Sequence, residues 1–166
     1  MSKIQPSHGV ELYRREISIR SYDADDRPGV FRLLSFLPNL YPRGFDWLER
    51  RLTEVERQKA YCSVALVSQR IAGILIDTPK GARTSKVSTL FVKQTICRAG
   101  IGSLLFETSM KRWRAQGTDS IYITVASIRK RGIETFLQSN GFTESAYLRD
   151  HYGTDRHELV YSLKLG

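Results

Sequence analysis

The sequence predicts an α/β fold, and three observations carry that expectation. Short strand-like runs lie at 17–22, 60–67, 71–77 and 120–126, and those at 17–22 and 120–126 alternate in the manner of half-buried strands. Between them lie longer stretches whose apolar residues recur at helical spacing, such as Val30, Leu33, Leu34 and Leu37. The stretch 87–105 changes from the first pattern to the second across a pair of glycines, Gly100 and Gly102. A chain of 166 residues is long enough for one domain with a real core.

Taken in order, residues 1–16 read as a polar arm with Pro6 and Gly9, and 17–166 as a single domain. The first strand spans 17–22. Asp23-Ala24-Asp25-Asp26 then supplies side chains that can cap a helix start. The first helix is expected to end at Pro38-Asn39. A second follows over 45–59, its stripe made of Phe45, Leu48, Leu52 and Val55. Strands at 60–67 and 71–77 are joined by Ser68-Gln69-Arg70, a hairpin-length connection, and Gly73 inside the second strand signals a bulge or a close backbone approach. A polar loop covers 78–85. The strand 87–92 leads through the glycine pair into a helix that Gly117 stops. A strand at 120–126, a short helix at 127–139 closed by Asn140-Gly141, and strands at 142–149 and 156–165 complete the chain. The helix after Gly100 carries two apolar stripes: Ile101, Leu104, Leu105 and Thr108 on one face, Phe106, Met110 and Trp113 on another. The second stripe is expected either to be covered by neighbouring helices or the final strands, or to be buried in a homodimer anchored on Trp113.

Glycines at the mouth of a helix leave its unpaired backbone N–H groups open to an anion, with the helix dipole behind them. Two familiar phosphate motifs are excluded. A P-loop needs Gly-Lys-Ser/Thr, whereas Gly102-Ser103 is followed by Leu104. A dinucleotide turn needs a third glycine where Leu105 stands.

Leu90-Phe91-Val92 followed by Cys97-Arg98-Ala99-Gly100-Ile101-Gly102 resembles the coenzyme A signature of the GCN5-related N-acetyltransferases, Gln/Arg-x-x-Gly-x-Gly/Ala after a Leu-x-Val strand end. Cys97 takes the Gln/Arg position. The element order β-α-α-β-β-β-α-β-α-β-β is also that family's, so the resemblance runs from Ile17 to the end. It implies a mixed, splayed sheet flanked by helices. It also implies acetyl-coenzyme A as cosubstrate, with no metal. Leu90, Phe91 and Val92 would then serve the pantetheine and the carbonyl, and residues 97–103, Ser103 included, the pyrophosphate. Further along, Phe136 and Gly141-Phe142 match the family's Asn-x-x-Ala-x-x-Phe-Tyr-x-x-x-Gly-Phe pattern, with Lys130, Ile133 and Leu137 at its Asn, Ala and Tyr positions. That tyrosine often protonates the departing thiolate, which Leu137 cannot do. The family's common base, a carboxylate on the central strand, is missing from 87–92.

Candidates for acid or base come from the flanks. Tyr147 and Tyr152 lie between the last two strands, with His151 beside the latter. Ser127, after its strand, suits either a hydrogen bond to the thiol sulfur or an N-cap. Lys130, within Arg129-Lys130-Arg131, is placed by the resemblance near the cofactor's phosphates, with Lys93, Arg98 and Lys111-Arg112 extending the basic field. Trp47 and Tyr41 are candidates for the acceptor mouth. The net charge of +9 suits an anionic cofactor, RNA or tRNA. Two cysteines, Cys62 and Cys97, imply no disulfide framework, and no apolar run is long enough for a membrane span. The expectation is a cytoplasmic N-acetyltransferase that joins an acetyl group to a primary amine by direct attack in a ternary complex. The alternatives are acetylation of an aminoacyl-tRNA or another nucleic-acid-bound amine, and a coenzyme A-binding module without turnover.

Overall fold

The computed structural model describes residues 16–96 and 100–166. The strands are β1 (Ile17–Ser21), β2 (Tyr61–Val67), β3 (Arg70–Pro79), β4 (Thr84–Val92), β5 (Ser120–Ala126), β6 (Thr143–Leu148) and β7 (Glu158–Lys164). The α-helices are α1 (Arg27–Leu33), α2 (Leu37–Leu40), α3 (Gly44–Glu56), α4 (Ile101–Ala115) and α5 (Lys130–Ser139). The strands form one mixed sheet in the order β1-β2-β3-β4-β5-β7-β6. The chain divides into two compact units, one of residues up to Ile76 with Thr89–Lys111, the other of Asp77–Ser88 with Arg112–Gly166. The arm expected over 1–16 lies outside the described residues, apart from Glu16. No helix among the described residues is long and apolar enough to cross a membrane.

In the first unit, β1 pairs antiparallel with β2 over the whole of β1, from Ile17↔Val67 to Ser21↔Ser63. Asp23 caps the turn that follows: its side chain accepts from Asp25 N at 3.0 Å, while Asp26 accepts from Asp23 N at 2.8 Å. The helix expected to run up to Pro38 is instead two. α1 ends at Leu33, and Pro38 stands in the first turn of α2, where its missing N–H costs nothing. Val30, Leu34, Leu37, Leu48 and Leu52 pack with Cys62, Val64, Ile74 and Ile76 into one buried cluster. Arg27 ties α1 to α3 through Glu49 at 2.6 Å and Glu56 at 2.9 Å. β2 and β3 thus present one face to α1 and α3 and turn the other toward α4. Gly73 is the contact point on that second face. A Cβ there would lie 3.0 Å from Ile101 Cγ2 and 3.2 Å from Leu105 Cδ1, so the glycine serves a close approach by the first turns of α4.

The buried face of α4 differs from the expected one. Ile101, Leu105, Phe106, Ser109 and Trp113 are buried, whereas Leu104 and Thr108 are exposed. Ile101, Leu105, Ser109 and Trp113 follow one another at intervals of four, which is a single stripe once the serine is counted. Trp113, expected as an exposed dimer anchor, is fully buried within the monomer. That removes the basis on which a homodimer was expected.

In the second unit, β5 pairs antiparallel with β7, and β7 with β6. The register sets Ile121, Ile123 and Val125 opposite Leu163, Tyr161 and Leu159 on one face. The Tyr161 hydroxyl lies 3.5 Å from Glu134 of α5, which places α5 on that face. The end of α4 is on the same side, fixed by Asp77. This fully buried carboxylate accepts from Trp113 Nε1 at 2.9 Å, Ser85 Oγ at 2.9 Å and Arg112 Nη1 at 3.3 Å, with Arg112 Nη2 closer still. The opposite face carries Lys86, Tyr122, Thr124, Ala126, Glu158 and Val160. Gly117 (φ +72°) and Gly141 (φ +87°) end α4 and α5 as expected.

Candidate active site

β4 and β5 run parallel but share a register only over Thr84–Val87, paired with Ser120–Ile123, although β4 continues to Val92 and β5 to Ala126. Among the described residues the paired register of β4 with β5 thus ends at Val87. This is the splay that the sequence led one to expect. Leu90, Phe91 and Val92 are half-buried there. Phe91 packs on Phe36 with ring centroids 4.7 Å apart, and Lys93 N donates to Ala72 O at 2.7 Å, which ties the strand end to β3.

Gly100 follows at φ +80°, a left-handed conformation that favours glycine, and a Cβ built on it would meet nothing within 4 Å. Its carbonyl accepts from Leu104 N at 3.1 Å, the first hydrogen bond of α4. The N–H groups of Ile101, Gly102 and Ser103 precede that bond and have no acceptor within the helix. Gly102 is half-buried and Ser103 exposed, at the positive end of a helix four turns long. The geometry fits a pyrophosphate. Cys97, Arg98 and Ala99, the remainder of the expected cradle, lie outside the described residues.

The other candidates gather around the segment between β6 and β7. Tyr152 is half-exposed and packs edge-on against His151 at 4.6 Å. Burial pushes its phenol up, and the charge of Glu158 adds to the shift. Tyr147 is exposed and lies against His157 at 5.5 Å. Ser127 donates its backbone N–H to His157 O at 3.0 Å. It is the first residue of a 3-10 turn whose N-cap position is Ala126, with no side-chain cap, so Ser127 is not the N-cap. The Lys130 amine lies 3.2 Å from Glu144 and 3.5 Å from Glu134. Trp47 and Tyr41 pack against the core of the first unit. Two charged groups of note were missed by sequence reasoning, Asp77 and Glu158. Both are carboxylates at strand positions where a polar residue reads as an outward one, and both are buried.

The sequence matches no protein-family model and no curated protein. Solved structures do match it. Ard1 from Thermoplasma volcanium superposes with a TM-score of 0.75 at 19% identity, covering 91% of this chain and 99% of that one. A GNAT family acetyltransferase from Elizabethkingia anophelis with acetyl-CoA bound gives 0.71 at 14% identity, over 90% and 99%. The ribosomal-protein-S18-alanine N-acetyltransferase of Escherichia coli gives 0.73 at 16% identity, over 90% and 94%.

The chain has the GNAT fold.

Within the GNAT pattern the main departure is Leu137, which is 1% exposed and belongs to the core. The central strand carries no carboxylate from Val87 to Val92.

Proposed function

We propose that this chain is an acetyl-coenzyme A-dependent N-acetyltransferase that acts on a primary amine by direct attack in a ternary complex. The observation that carries the reading is the junction of β4 and α4: a strand free of its parallel neighbour after Val87, followed by a left-handed glycine at the mouth of a long helix. The fold supports it, as does the presence of acetyl-CoA in the Elizabethkingia structure.

Acetyl-coenzyme A supplies an activated acyl carbonyl. The chain's own groups hold and polarise it. The backbone of Leu90 and Val92 serves the pantetheine and the carbonyl oxygen, with Phe91 fixed between them by Phe36. The N–H groups of Gly100, Ile101, Gly102 and Ser103 take the pyrophosphate, together with 97–99, and Lys130 approaches the phosphates by exchanging its carboxylate partners. Tyr152 is the proton donor to the departing sulfur. A phenol pushed up by burial stays protonated at neutral pH, as a donor must.

Calorimetry with acetyl-coenzyme A tests the cradle. A branched side chain at φ +80° is strained and faces the phosphates, so Gly100→Val is expected to weaken binding at least tenfold while the fold is retained. Unchanged affinity in a folded Gly100→Val protein overturns the assignment.

A further inference from the structure

We propose that a basic groove between α1 and the β2–β3 hairpin holds a phosphate group of the acceptor, so that the substrate is an amine carrying a phosphate ester. The proposal rests on the N-acetyltransferase reading above and names the acceptor class that reading leaves open.

The groove lies wholly within the first unit and has a volume of about 810 Å³. Its floor is apolar and runs from Leu66 of β2 across Ile71 of β3 to Phe91 of β4. α1 comes close to that floor: a Cβ on Gly29 would lie 3.0 Å from Ile71 Cδ1. Arg32 stands three positions on, along the same side of α1, with Nη2 3.8 Å from that Cβ position. The hairpin supplies Gln69 and Arg70. Its two turn residues, Ser68 (φ +48°) and Gln69 (φ +64°), are both left-handed without a glycine, a conformation that costs energy. Lys93, one residue past β4, adds a further cation, and its backbone is tied to Ala72 O.

Four cations thus line the groove against two carboxylates, Asp25 and Asp26. Arg20 and Asp26 cancel, the guanidinium forking onto the carboxylate at 2.7 and 2.8 Å. The other three cations, Arg32, Arg70 and Lys93, are exposed, and among the described residues their side chains make no hydrogen bond or ion pair. By contrast, Arg27, Arg43 and Arg51 of the same unit each hold a carboxylate. Cations gathered over an apolar floor repel one another until an anion joins them. Guanidinium forks match phosphate oxygens in pairs, and a phosphate monoester brings about 1.5 to 2 negative charges at neutral pH.

The groove is not the cofactor cradle. α4, whose first N–H groups form that cradle, packs at Gly73 beside Ala65. Leu66, Ile71 and Phe91 pack instead against the cluster built by α1 and α3. The floor nevertheless ends at Phe91, between the two residues given to the thioester, Leu90 and Val92. A phosphate held by Arg32 and Arg70 leaves the rest of the ligand to lie along the floor toward the carbonyl. The phosphate takes no part in the chemistry. The nitrogen forms the bond to the acetyl carbon, the C–S bond breaks, and the proton lost by the nitrogen is balanced by one gained at the sulfur.

The test uses the full-length protein with 5-aminopentyl phosphate, its methyl ester and 5-aminopentanol. Thiol release reads kcat and KM, and calorimetry reads affinity for acetyl-coenzyme A and for each amine. The wild type is expected to prefer the phosphate to the alcohol by about tenfold or more in kcat/KM, with the difference in KM. Arg32→Gln/Arg70→Gln should lose most of that preference while binding acetyl-coenzyme A as the wild type does. Arg50→Gln/Arg57→Gln, which removes two exposed charges of the same unit outside the groove, should keep it. Preference for either ester supports the proposal: the monoester alone marks a small phosphorylated amine, and both together mark a nucleic-acid backbone. Equal use of phosphate and alcohol overturns it, as does a preference that survives in Arg32→Gln/Arg70→Gln. If none of the three amines is turned over, binding decides, and 5-aminopentyl phosphate that fails to bind, or binds equally well without the two arginines, overturns it. A wild type that does not bind acetyl-coenzyme A overturns the parent reading, and the binding arm still shows whether the groove takes a phosphate.

Discussion

Replacing Asp77 by alanine removes the acceptor on which the end of α4 is fixed. Three donors converge on that carboxylate: Trp113 Nε1 at 2.9 Å, Ser85 Oγ at 2.9 Å, and the Arg112 guanidinium. They do not suffer equally. Arg112 keeps 23% of its side chain exposed and can turn to water. Ser85 Oγ has a second acceptor, Thr78 O, at 3.2 Å. The indole of Trp113 is fully buried, and the Asp77 carboxylate beside it is equally closed to solvent. A buried donor left unsatisfied costs about 1–3 kcal/mol, and breaking a buried ion pair by deleting one partner about 3–5 kcal/mol. Because Arg112 is partly solvated, the expected loss is about 3–4 kcal/mol, or a fall in Tm of roughly 6–16 °C for a chain of this length. Urea unfolding followed by tryptophan fluorescence measures it directly, since Trp113 is itself the reporter. Asp77→Asn, which can still accept from Trp113, should lose less than Asp77→Ala. If Asp77→Ala falls within about 1 kcal/mol of wild type, the reasoning that these donors depend on Asp77 is wrong.

Gly73→Val should drive a branched side chain into Ile101 and Leu105, shift the first turn of α4, and weaken acetyl-coenzyme A binding without touching the cradle itself; unchanged affinity in calorimetry would show that the turn gives way freely. Stability should depend on pH through two carboxyls of opposite sign. Hydrogen bonding to Arg20 holds the Asp26 carboxyl low, so its contribution is present above the unfolded pKa and is lost as pH falls through the folded one; the deficit of Asp26→Asn in urea unfolding should therefore shrink below about pH 4. Burial pushes Glu158 up, so its penalty is absent below the unfolded pKa and complete above the folded one. Glu158→Gln should thus be more stable than wild type at neutral pH and lose that gain on acidification, and a neutral-pH Tm below wild type would contradict the sign.

Much of the fold was legible because it is written locally. The Asp23 cap, the glycines at 117 and 141, and the alternation of 120–126 each depend on residues a few positions apart. The same holds for the glycine that opens α4, Gly100 at φ +80°. What failed depended on distant partners. The α4 stripe was misread because Ser109 counts as polar in a periodicity argument, yet it is buried in line with Ile101, Leu105 and Trp113. Trp113 looked like a spare aromatic because its partner, Asp77, is 36 positions away. Pro38 was read as a stop because it follows an apolar stripe, but a proline is as well suited to the first turn of the next helix.

Glu158 was hidden for a related reason. In Glu-Leu-Val-Tyr-Ser it reads as the outward polar residue of an alternating strand, and only the closing of β5 and β6 on either side buries it. Leu137 occupies the core position where the family pattern has its tyrosine, so the proposed reaction needs a proton donor from another element. The proposed acid, Tyr152, stands on the connection between β6 and β7. His157 organises that connection. Its Nδ1 accepts from Asp150 N at 3.0 Å, its ring lies against Tyr147, and its carbonyl accepts from Ser127 N at 3.0 Å. The proposed proton donor is therefore carried on a connection that His157 holds at three points, through its ring nitrogen, its ring face and its carbonyl.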